Sequence, residues 1–100
     1  MTGEQKRGLE HEAIRAVRLL VAAGFLAVPI GDPNDLHMLL FIRDRLDIRD
    51  AVKMYGPREC EAVRIVRRQI MKEVTGSVPE VVDAVINWSW LITATGRDYR

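Results

Sequence analysis

One cysteine and two histidines among 100 residues leave little material for redox or metal chemistry. Cys60 alone cannot close an intramolecular disulfide. His11, His37 and Cys60 have none of the CxxC, HxxxH or ExxH spacings that bring metal ligands onto one face, so neither a metal nor a cofactor is expected. Net charge is nearly absent as well: fifteen Lys and Arg against fourteen Asp and Glu give a formal +1. No global field therefore draws the chain to nucleic acid, anionic membrane or acidic substrate, and any such attraction must come from a local patch. The sequence also lacks a glycine-rich phosphate loop, a nucleophile elbow and a dinucleotide fingerprint.

Long apolar runs are missing too. The stretches 17–30 and 81–95 are interrupted by charged, glycine, proline or asparagine residues, short of the roughly 20 apolar residues a bilayer helix needs. The N-terminus, MTGEQKRGLEHE, is polar where a signal peptide is apolar, so a cytoplasmic compartment and no membrane partner are expected. The pairs Asp44 and Asp47, or Glu59 and Glu61, read as capping or solvating charges. Cys60 reads as a small hydrophobe, because no histidine is positioned as its base. The expected protein is not an enzyme, and no small-molecule substrate is expected.

What is present is a composition of 48% hydrophobic and 29% charged residues, enough for one core and one domain over 1–100, with 1–5 and 97–100 as loose ends. Positive charge is carried mostly by arginine, beside abundant valine and alanine, a mixture common in bacterial and phage proteins.

The periodicity predicts an all-α fold, a single compact bundle of four to five helices. The first would run from Glu4 to about Ala23, with Gly24 as a left-handed cap and Phe25 folded back onto the last turn. Residues 25–30 (FLAVPI) form a connector, either a buried loop or a short strand. Asp32 and Pro33 open a second helix carrying Met38 and Phe41, with a strand over 37–43 as the competing local reading. A third helix from Asp47 meets a fourth, 57–75, at a helix-Gly-Pro-helix corner over 55–57. Ser77, Pro79 and Glu80 form a capping box for the last helix, on which Val78, Val81, Val82 and Val85 share one face.

Two surfaces follow from that reading. Met38, Phe41, Trp88, Trp90 and Leu91 form more apolar surface than so small a bundle needs. They make the expected interface of a small interaction protein that self-associates or docks on a protein partner through its last helix. The alternative is a helix-turn-helix-like transcriptional regulator reading DNA with the helix 57–75, where Arg58, Arg64, Arg68 and Lys72 would contact bases and phosphates. Against it, Pro57 stands where a buried aliphatic usually sits, and Glu61 would face phosphate.

Overall fold

The structure, a computed structural model, describes the backbone of residues 3–32 and 35–88 and the side chains of 13–32 and 38–88. It is not an all-α bundle. A helix, α1 (Gly3–Ala22), precedes five strands, β1 (Leu26–Asp32), β2 (Asp35–Arg45), β3 (Ile48–Gly56), β4 (Glu59–Val66) and β5 (Gln69–Gly76), and a second helix, α2 (Val78–Ile86), follows them. The strands form one antiparallel meander in the order β1-β2-β3-β4-β5.

The predicted helices over 32–75 are therefore corrected to strands. Along β3, Ile48, Asp50, Val52 and Met54 are buried, and along β4 Cys60, Ala62, Arg64 and Val66 are buried, which is the two-residue period of a pleated strand. Two features hide that period in the sequence. The inward set contains the charged residues Arg43, Asp50 and Arg64. The outward set contains Leu40, Ile42, Ala51, Val63 and Ile65, so both faces of the strands read as partly apolar.

The turns hid themselves too. The corner at 55–57 joins β3 to β4 instead of two helices. Arg67 and Arg68, with φ of 50° and 69°, make the β4–β5 turn, and Leu46, φ 54°, opens the β2–β3 turn. Two-residue hairpins favour positive φ at these places, usually supplied by glycine or asparagine. Here arginine and leucine supply it, so the customary sequence signal is missing.

Both helix ends behave as the sequence predicts. The amide of Gly24 (φ 95°) donates to the Val21 carbonyl and that of Phe25 to the Leu20 carbonyl, each at 3.0 Å, and Phe25 is buried beneath the last turn of α1. At α2, the Ser77 hydroxyl accepts from the Glu80 amide at 3.4 Å and donates to the Glu80 carboxylate at 2.9 Å. The amide of Val78 donates to the Pro57 carbonyl at 3.0 Å, tying the start of α2 to the β3–β4 turn.

The core lies between the helices and one face of the sheet. Val78, Val81, Val82 and Val85 of α2 and Ala16 and Leu20 of α1 pack with Phe25, Phe41, Val52, Met54, Cys60 and Ala62. The apolar stripe of α2 is thus consumed inside the protomer. No helix among the described residues is long and apolar enough to cross a membrane.

Candidate functional site

Strand register sorts the other face of the sheet into cross-strand rows. The central row is Leu26, Ile42, Ala51, Val63 and Glu73, from β1 to β5. On one side of it runs Val28, Leu40, Lys53, Glu61 and Thr75, and on the other Asp44, Arg49, Ile65 and Ile70. Neither helix lies on this face. Leu26 is 74% exposed and Ile70 58%, and Val28 and Ile30 are also exposed, while Leu40, Ile42, Val63 and Ile65 are half-buried by their neighbours in the sheet. An antiparallel sheet with one solvated face ordinarily alternates apolar inward and polar outward. Here the outward rows carry a continuous apolar stripe.

Four of the charges on that face are paired within it, and Glu73, at the β5 end of the central row, is exposed. The Arg49 guanidinium donates to the Asp44 carboxylate at 2.7 and 2.9 Å, holding the Asp44 carboxyl below its usual range and the Arg49 guanidinium above its own. The Lys53 ammonium stands 3.6 Å from Glu61, whose carboxylate also accepts from the Tyr55 hydroxyl at 3.2 Å. The stripe is flanked by these two clusters, each made of opposite charges.

The edges of the sheet are blunted. In β1, Pro29 has no amide hydrogen for a further strand, and the register shifts at Gly31. In β5 the register shifts between the pairs Arg64–Lys72 and Ile65–Ile70, leaving Met71 as an extra residue.

A different row faces the helices: Arg43, Asp50, Arg64 and Lys72, paired in register across β2 to β5. Arg64 donates to both carboxylate oxygens of Asp50, at 2.8 and 3.0 Å, and Arg43 donates to one of them at 3.0 Å. Arg43 also donates to the Ala23 carbonyl at 3.2 Å, closing the end of α1, with its guanidinium over the Phe25 ring. Arg64 and Lys72 lie over the Trp88 ring at 5.6 and 5.7 Å.

Comparison with protein families, with curated proteins and with solved structures finds no match to this chain. Met38 is half-buried at the border of the open face, paired with Ile30, whereas Phe41 points the other way and is buried in the core. Trp88 is half-buried against the core, and Trp90 and Leu91 lie outside the described residues. The expected apolar patch on the last helix is thus not formed by Met38, Phe41 and Trp88.

The expected basic face does not form either, because 57–75 is two strands and two turns. Arg58 and Arg68 sit in the turns at opposite ends of β4, Arg64 is wholly buried, and Lys72 faces Trp88. No helix-turn-helix occurs among the described residues. Cys60 is buried in the core, and burial together with the nearby Glu61 carboxylate pushes its thiol up to about 11. No metal-ligand cluster occurs among the described residues.

The residues that sequence reasoning missed are those of the stripe: Leu26, Val28, Ile42, Val63, Ile65 and Ile70. Their signal was present as apolar residues at both parities of the same segments. That pattern marks a strand apolar on two faces, and it resembles a helix of broad apolar arc.

Proposed function

We propose that this protein is a non-enzymatic association module whose open sheet face packs on the same face of a second copy. The single observation that carries the reading is the continuous apolar stripe on the face opposite the helices, with Leu26 and Ile70 more than half exposed. Five strands about 4.8 Å apart and three side-chain rows give a footprint on the order of 400 Å².

Three features favour a like partner. The Asp44–Arg49 and Lys53–Glu61 charges are already paired to one another, so these clusters ask for no oppositely charged partner. An apolar sheet is well covered by a second sheet stacked about 10 Å away. Pro29, Gly31 and the β5 bulge discourage growth of the sheet through its edges, leaving face-to-face contact as the available mode. The footprint falls below the roughly 800 Å² per partner of standard stable interfaces, so the dimer is of modest affinity and acts by occupancy.

Sedimentation velocity over a concentration series tests this. The wild type moves from monomer to dimer, and Ile42→Lys, in the middle of the stripe, remains monomeric with an unchanged circular dichroism spectrum. A wild type that stays monomeric at millimolar concentration contradicts self-association.

A further inference from the structure

A second concavity, apart from the central stripe, opens at the end of the sheet nearest the β3–β4 turn. Ala13, Ile14, Val17 and Arg18 of α1 form one wall, and Leu39, Met54, Gly56 and Pro57 are among the residues of the other. Its volume is about 530 Å³, within the roughly 300–1,000 Å³ of small-molecule sites. The lining is almost wholly apolar, and Ile14 and Tyr55, both half-exposed, stand where it meets solvent.

Among the described residues, Arg18 is the one charged side chain in that lining. It makes no hydrogen bond or ion pair among the described residues. Its neighbours three and four positions away on α1 are Ile14, Arg15, Val21 and Ala22, none of them acidic, so the helix supplies no counter-charge. A greasy groove with one exposed guanidinium at its rim is complementary to a molecule with an alkyl body and an anionic head. The planar fork of arginine suits a carboxylate in particular.

We infer that this groove binds a medium- or long-chain fatty acid, its chain between α1 and the strand ends and its carboxylate on Arg18. The proposal is independent of dimer formation. A peptide segment would demand backbone hydrogen-bonding partners, and the groove is poor in polar surface. An alkyl chain makes no such demand.

Isothermal titration of the full chain with octanoate, decanoate and dodecanoate, each below its micellar concentration, tests the inference. Affinity is expected to rise about fourfold for each added methylene. Arg18→Gln should weaken dodecanoate about five- to tenfold and leave dodecanol unchanged. Arg18→Glu, at the same exposed position, should weaken dodecanoate further and still leave dodecanol unchanged. Gly56→Phe, where a Cβ meets nothing within 4 Å, should weaken both amphiphiles by filling the groove. Absence of dodecanoate binding overturns the inference, as does binding indifferent to chain length or to both head-group variants. Equal affinity for dodecanol and dodecanoate in the wild type removes the carboxylate.

Discussion

Asp50 and Arg64 face each other across β3 and β4 with both side chains fully enclosed, joined by two hydrogen bonds of 2.8 and 3.0 Å. Arg43 adds a third bond to the same carboxylate from the opposite strand. Removing one member of such a group leaves the others charged in a medium that solvates them poorly, at a cost of about 3–5 kcal/mol. Asp50→Ala is accordingly expected to lower the stability by about that amount, read as a fall in the urea midpoint without change in slope. A loss below about 1 kcal/mol would mean that water reaches the cluster.

The hairpin turns carry removable strain. Arg68 and Leu46 hold positive φ, which costs a residue with a Cβ about 1–2 kcal/mol, and Leu46 is 97% exposed. Arg68→Gly and Leu46→Gly should each raise the stability, by about 1 kcal/mol after the added unfolded-state entropy of glycine is subtracted. Thermal melts of the single variants check this, and a lowered Tm in both contradicts the turn geometry.

Cys60 ties stability to alkaline pH. Its thiol is raised to about 11 in the folded protein against an ordinary value near 9. The folded state therefore keeps a proton that the unfolded state releases. The associated stability is complete below pH 9 and is lost as pH rises towards 11. Wild-type stability should fall more steeply than that of Cys60→Ala across this window. At neutral pH the buried thiol should resist iodoacetamide until the protein is unfolded. Rapid native alkylation is the opposing result.

The cap of α2 is a smaller test of local structure. Ser77→Ala removes the acceptor for the Glu80 amide and the donor to its carboxylate, and should cost about 1 kcal/mol. An unchanged urea midpoint would contradict a capping role for Ser77.

Legibility in the sequence tracked how local the signal was. Gly24 with Phe25, and Ser77 with Pro79 and Glu80, identified the end of one helix and the start of the other, because caps depend on neighbours in the chain. The segments of β2–β5 read as helices because pairing is non-local, whereas 26–30, within a stretch read as a buried loop or a short strand, lies in β1. Asp50 looks like a solvated residue until Arg43 and Arg64 arrive from two other strands. Val63 looks like half of a helical stripe until Ala51 and Glu73 flank it. The expected apolar surface was placed on the last helix, but that helix spends its valines in the core, and the exposed large hydrophobics among the described residues lie on the strands, in a turn and on α1.

Methyl-resolved NMR across a dilution series tests the open face most directly. Concentration-dependent shifts are expected at Leu26, Val28, Ile42, Val63 and Ile65, with Leu20, Val81 and Val85 unmoved. Shifts confined to the helix methyls, or none over the full range, would contradict association through the open face.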